Sequence, residues 1–231
     1  CYDNKTNWRR EYFPNYKHGR RKDRKASKLD WGSIFDTLHL IKQELQDNFP
    51  YKVLEVENAE ADDIIASVVS YVAQAPSHYE KVLIVSGDKD FIQLQKHSFV
   101  TQYSPTLKKF VNGIDPHAYI KEHILKGDRS DGVPNFLSPD NCFVDEMRQR
   151  PISKKKMATW IDLEPEDFCN EEMLRNYQRN RTLIDLEYAP DEINNACVQA
   201  YLNSTVKDRS GLLNYFIKHR LKNHMENIGD F

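Results

Sequence analysis

Cysteine is scarce in this 231-residue chain: Cys1, Cys142, Cys169 and Cys197 stand singly, with no C-x-x-C pair. That scatter argues against a disulfide framework or a cysteine-built zinc site, and reduced thiols are expected. Long apolar runs are also missing. No stretch approaches the roughly 20 residues that cross a bilayer, and no segment has a signal-peptide layout. A soluble, cytoplasmic protein is the expectation. Net charge is nearly absent too, at −2, and there is no internal repeat or low-complexity tract. The length suits one large domain or two small ones.

Charge is plentiful once its position is considered. Between Asn4 and Leu29 ten Lys/Arg face two acids, so that arm carries +8 and the remainder −10. A basic arm on an acidic body suits a protein that grips phosphates with one part and holds divalent cations with another. Trp8, Tyr12, Phe13 and Tyr16 interleave the arm, whose weak apolar periodicity predicts mobility without a ligand. The opening Cys1-Tyr2-Asp3 reads as the end of a strand, and a preceding segment is expected.

Further along, Asp30 caps a predicted helix to about Asn48, with Ile34, Leu38, Ile41 and Leu45 on one face. Tyr51–Val56 reads as a strand, and Asn58 as the cap of a helix through Ala73. Lys81–Ser86 (KVLIVS) is a continuous apolar run, the pattern of a parallel strand covered on both faces. A short helix and a strand over Phe99–Tyr103 follow, giving two αβ repeats and a mostly parallel sheet. Beyond Pro116 the pattern turns helical: Ala118–Leu125, Lys154–Ile161, Glu171–Ile184, Asp191–Asn203 and Gly211–Leu221. The expected architecture is an α/β domain over 1–114, including the arm, and a helical domain over 115–231.

Acids gather where ligands of open parallel sheets bind, outside the carboxyl ends of the strands. Asp3 follows one candidate strand, Glu60, Asp62 and Asp63 open a helix after another, and Asp88 and Asp90 follow KVLIVS. Asp128 and Asp131 lie in a later glycine-containing loop. Taken alone, Glu60–Asp63 is an ordinary helix start and D-x-D an ordinary turn. Together, eight carboxylates from four segments predict a hard-cation site for Mg²⁺ or Mn²⁺, since uncompensated like charge needs a proton or a cation. Two such ions would activate water and stabilise the leaving oxygen of a phosphodiester.

The blocks VENAEADDIIA, VLIVSGDKDFIQL and ILKGDRSDGVPNF, preceded by WRREYFPNYKHGR, resemble in order the signature segments of the flap-endonuclease and 5′-nuclease superfamily, whose nuclease domain has a PIN-like sheet. DLEYAPDEI and LLNYFIKHRL are similar to its ribonuclease H branch in T-even bacteriophages. The resemblance implies a two-metal 5′→3′ exonuclease and flap endonuclease that removes RNA primers in phage replication. Asp3, Glu60, Asp62 and Asp63 would serve one metal, Asp90, Asp128 and Asp131 the other, with Asp88 between them. Lys17 and Arg20 would hold the scissile phosphate as catalytic residues alongside Asp88, and Tyr16 would stack on a base. Arg9, Arg10 and Arg21 would add nucleic-acid contacts.

Gly127–Pro134 corresponds to the family's helix–turn–helix variant, which binds one duplex strand through backbone amides and a monovalent cation. Gly127, Ser130, Gly132, Val133 and a K⁺ ion are thereby implied at a loop that reads shape and phosphate. Gly132 replaces the family's usual Asn, and Asn135 stands where Gly is common. The family's first aspartate lies on a strand preceding Cys1. The implied substrates are RNA–DNA hybrid and nicked or 5′-flap DNA. The implied partners are a sliding clamp and a single-stranded-DNA-binding protein, and the enzyme would be a monomer. Other readings of the same acids are a non-catalytic structure-specific DNA binder and a PIN-like ribonuclease, which would lack the arm and the GDRSDGVP loop.

Overall fold

The basic arm begins with a capped turn. Asn7 accepts the Arg9 N–H at 2.8 Å and starts α1 (Trp8–Tyr12), and α2 (Gly19–Ala26) carries the densest positive charge. The structure, a computed structural model, describes residues 1–74 and 81–231, and the side chain of Arg21 lies outside the described residues. Contrary to the expected mobility, the first half of the arm is anchored in the core through Trp8, Phe13 and Tyr16. Trp8 packs with Leu54, Ile64 and Ile193, while Phe13 and Tyr16 pack with Ile124, Leu125 and Val133. The arm's aromatics supply burial that its charge pattern conceals.

Asp30 starts α3 (Trp31–Asn48) by accepting the Ser33 N–H at 3.1 Å. None of the 18 residues of α3 is buried. The next helix, α4 (Ala61–Ala73), starts later than Asn58. Glu60 and Asp63 form a capping box, with the Asp63 carboxylate accepting the Glu60 N–H at 2.9 Å. Asn58 instead takes the left-handed backbone (φ 61°) of the turn before it. Residues 51–56, expected as a strand, form none, although Tyr2 N–H donates to the Leu54 carbonyl at 2.8 Å.

Among the described residues the sheet has three strands in the order β1 (Val82–Val85), β2 (Val100–Ser104), β3 (Lys109–Val111). Strands β1 and β2 pair in parallel with Val82 opposite Val100, and β3 returns antiparallel with Val111 opposite Gln102. The KVLIVS run is covered on one face only, because Ile84 is 5% exposed while Leu83 and Val85 are 54% and 62% exposed. A 3₁₀ helix over Lys89–Lys96 links β1 to β2.

The rest is helical: α5 (Pro116–Lys126), α6 (Lys154–Ile161), α7 (Pro165–Phe168), α8 (Glu171–Ile184), α9 (Asp191–Asn203), α10 (Leu212–Lys218) and α11 (Lys222–Glu226). The helix expected to reach Leu221 ends at Lys218, and Arg220 beyond it takes a left-handed φ of 56°. Helix α9 packs across α4 through Ile193 and Cys197, and Leu186 joins the core beneath β1. Apolar packing therefore runs between the first and last parts of the chain. Leu212, Phe216 and Phe49 form a separate cluster at the end of α3.

Candidate active site

At the carboxyl end of β1 lies a cleft of about 640 Å³ lined by seven carboxylates: Asp3, Glu60, Asp62, Asp88, Asp90, Asp128 and Asp131. Lys17, Arg20 and Lys89 bring positive charge, and Tyr119, His123 and Ser130 complete the polar wall. Each acid is set by local chemistry. Asp3 accepts the Ala61 N–H at 2.8 Å, fixing it beside the first turn of α4. Asp88 caps the 3₁₀ helix by accepting the Asp90 N–H at 3.0 Å. Asp128 accepts from Ser130 N–H and Oγ, both at 2.7 Å, so the loop folds around its own carboxylate.

Gly127 makes that loop possible. At φ 68° an added Cβ would lie 2.4 Å from the Val133 carbonyl oxygen and 2.5 Å from that of Pro134. Arg179 and Asn180 of α8 reach the Pro134 carbonyl at 2.9 Å each and hold the outgoing chain. Gly132 lets the loop approach the arm, since a Cβ there would lie 3.0 Å from the Asn15 carbonyl oxygen.

Cationic side chains thread between the acids. The Lys17 ammonium pairs with Glu60 and lies 3.6 Å from Asp131, which Arg20 contacts at 2.5 Å. His123 sets Nδ1 3.3 Å from Asp90 and Nε2 3.4 Å from Asp128. Burial would raise the Glu60 carboxyl, but Lys17 and Arg9 outweigh it and hold it low. Burial likewise opposes ionisation of Asp128, yet the His123 and Ser130 hydrogen bonds push its pKa well below the usual range. His123 rises to about 9, because Asp128 and Asp90 overcome its desolvation. For Asp62 the relief from Lys17 is too small: burial first, then Asp88, Glu60 and Asp90, push it up to about 7.

That excess of negative charge on an all-oxygen donor set fits a hard divalent cation. Asp3, Glu60, Asp62, Asp88, Asp90, Asp128 and Asp131 are the side chains that could hold such ions. Among the described residues no group of three acids or histidines converges tightly enough to coordinate an ion as it stands. Lys17, Arg20 and His123 pair with several of these acids instead.

Four expectations need correction. Asp63 does not line the cleft: one residue on from Asp62, about 100° round the helix, it points inward. It is fully buried, bonded twice by Arg9 at 2.9 and 2.7 Å and by Trp8 Nε1 at 3.2 Å. Arg9 is correspondingly unavailable to nucleic acid, 2% exposed and also donating to the Leu183 carbonyl at 2.9 Å. Tyr16 is 3% exposed, so its ring packs in the core instead of offering a stacking face. Finally, the loop amides serve the loop itself. Gly127 N–H donates to His123, Ser130 to the Asp128 side chain, Gly132 to Arg129 and Val133 to the Asp128 carbonyl, at 2.8, 2.7, 3.2 and 2.7 Å.

Arg10 is exposed on α1, outside the cleft lining. Tyr119 and His123 were missed by sequence reasoning. Their signal was an i, i+4 pair on α5, one turn before Asp128.

An acid-lined cleft at a parallel strand end, flanked by Lys17 and Arg20, defines a phosphodiester-cleaving class of protein. The family model of the 5′-3′ exonuclease N-terminal resolvase-like domain matches residues 1–124, and that of the T4 RNase H C-terminal region matches 115–231. The chain belongs to the 5′-3′ exonuclease family, with a C-terminal half of the T4 RNase H type. It is 34% identical to the ribonuclease H of Enterobacteria phage T4 over 240 residues, covering all of this chain and 78% of that one. DNA polymerase I of Lactococcus lactis subsp. cremoris is 32% identical over 141 residues, 56% of this chain and 15% of the polymerase. In structure, the chain resembles a bacteriophage T5 protein co-crystallised with metal ions (TM-score 0.55, 21% identity, 86% of this chain and 76% of that one). It also resembles a T5 flap endonuclease in a pseudo-enzyme–product complex with DNA and metal ions (TM-score 0.51, 20% identity, 86% and 74%). At those identities the likeness is one of fold. Among the described residues no helix is long and apolar enough to cross a membrane.

Proposed function

We propose that this chain supplies the active site of a Mg²⁺-dependent 5′→3′ exonuclease and flap endonuclease acting on RNA–DNA and DNA–DNA duplexes, with primer removal in phage replication as its task. The observation that carries this reading is the gathering of seven carboxylates from four segments into one cleft with Lys17 and Arg20. Two divalent cations, Mg²⁺ or Mn²⁺, would supply water activation and charge neutralisation at the leaving oxygen when bound.

The protein's own part is orientation and charge. Arg20 has 41% of its side chain exposed and can swing from Asp131 to a phosphate oxygen. Lys17 sits deeper, beside Glu60, where a scissile phosphate would replace a carboxylate as its partner. Residues 1–114 would carry most of the chemistry, Asp128 and Asp131 would complete the site, and the rest of 115–231 would hold the duplex. The exposed lysines and arginines of α2 meet a single-stranded 5′ end in this reading. In this reading the protein works in replication in the host cytoplasm, with a sliding clamp and a single-stranded-DNA-binding protein as partners.

The test is cleavage of a 5′-labelled, nicked RNA–DNA hybrid with Mg²⁺, comparing the unsubstituted protein with Asp88→Asn and Asp90→Asn. Short 5′-phosphorylated products from the unsubstituted protein, reduced at least ~100-fold in either variant, are expected. Binding of the hybrid without any cleavage under Mg²⁺ or Mn²⁺ would make the protein a structure-specific binder instead.

A further inference from the structure

Glu60 and Asp131 belong to different parts of the chain, the cap of α4 and the 127–133 loop, yet one atom touches both. The Tyr16 hydroxyl lies 2.9 Å from Glu60 Oε2 and 2.8 Å from Asp131 Oδ2. A phenol has one proton to donate and can satisfy one carboxylate with it fully. The second contact is held by the next residue, since the Lys17 ammonium pairs with Glu60 and stands 3.6 Å from Asp131. Neighbouring side chains ordinarily diverge. Here both enter the same gap because Lys17 adopts a left-handed backbone (φ 55°), and its own N–H donates to the Asp131 carbonyl at 2.7 Å.

The ring that carries the hydroxyl is fixed. It is 3% exposed and packs among Phe13, Leu125 and Val133, in the largest core cluster. The hydroxyl therefore cannot follow either carboxylate, and both must come to it. We propose that Tyr16 is a positioning residue whose hydroxyl sets the spacing between Glu60 and Asp131, joining the acids of α4 and those of the 127–133 loop into one cleft that holds the cations. This assignment rests on the nuclease reading above and gives it a residue that acts through others without touching nucleic acid.

Tyr16→Phe removes the oxygen and keeps the ring in the core, so the fold is retained. Binding of Mn²⁺ alone, without nucleic acid, is measured by calorimetry for the unsubstituted protein, Tyr16→Phe, Asp131→Asn and the double variant. The proposal expects Tyr16→Phe to weaken Mn²⁺ about tenfold, and to add little on the Asp131→Asn background, because the hydroxyl works through that carboxylate. In hybrid cleavage it expects kcat to fall about tenfold with KM unchanged. A stacking role gives the opposite pattern: Tyr16→Phe behaves as the unsubstituted protein, and only Tyr16→Leu raises KM. Unchanged Mn²⁺ affinity in Tyr16→Phe, or full additivity with Asp131→Asn, overturns the proposal. If the unsubstituted protein binds Mn²⁺ and cleaves nothing, the nuclease reading fails while the Mn²⁺ comparison still decides the role of Tyr16. If it binds no Mn²⁺, both fail.

Discussion

Asp62 and Asp63 are adjacent acids with opposite fates. Asp62 faces the cleft with its pKa pushed up to about 7 from 3.8, by burial and by Asp88, Glu60 and Asp90. A carboxyl raised on folding binds more protons in the native state than in the unfolded one. Its contribution is therefore present below the unfolded pKa and is lost as pH rises toward the folded one. Thermal denaturation in EDTA should show Tm falling by several degrees between about pH 4 and 7. Asp62→Asn should flatten that slope, and Mg²⁺ should restore stability at pH 7. Asp63 is different, because its charge is answered by Arg9 inside the protein. Arg9→Met strands a buried carboxylate and should cost about 3–5 kcal/mol in urea denaturation, with Arg9→Met/Asp63→Leu recovering most of it. The sequence placed both acids in the site because a run of acids does not say which faces outward. The capping box that turns Asp63 inward depends on the helix starting at Ala61, with Glu60 and not Asn58 as its cap.

Among the elements, helices were legible wherever a capping side chain met an apolar period. Asp30, Ser153 and Asn170 each accept an N–H of the first turn and mark α3, α6 and α8 at the expected residues. The sheet was less legible. A four-residue strand such as β1 has the same composition whether one face or two are covered, and β3 is three residues of KFV with no alternation to detect. The cleft itself was largely readable, since its carboxylates follow strand ends or open turns. Lys17 and Arg20 were found through their motif. Tyr119 and His123 were not, because on a lone helix an aromatic and a histidine also read as packing. At this scale the loop after α5 gives a sharp test. Gly127→Ala drives a Cβ into two carbonyl oxygens at positive φ and should cost on the order of 1–3 kcal/mol. Calorimetric Tm measures it, and a shift below about one degree would mean that the loop has an alternative path.

Over the whole molecule, charge separation has a thermodynamic reading. Helix α2 presents Lys22, Arg24 and Lys25 to solvent while the cleft behind it is acidic. Duplex or single-strand affinity should therefore fall steeply with salt, as each neutralised phosphate releases a counterion. Replacing these three residues by glutamine should flatten the plot of log affinity against log salt by about 2–3, at roughly 0.7–0.9 per contact. Fluorescence anisotropy with Ca²⁺ in place of Mg²⁺ reads the slope, and an unchanged slope would place the nucleic acid on another face.

Helix α3 is held at one end. Lys42 pairs with Glu55, Glu44 accepts from Tyr215, and Phe49 lies in the aromatic cluster with Phe216 and Phe231. Toward its start, Leu38 and Phe35 are exposed and Arg24 rests on the rings of Trp31 and Phe35. Such a helix is a cantilever. Its backbone amides should exchange with deuterium in a gradient, slowest near Asn48 and fastest near Trp31, so that the basic segment leaning on its front end samples a volume while the root stays fixed.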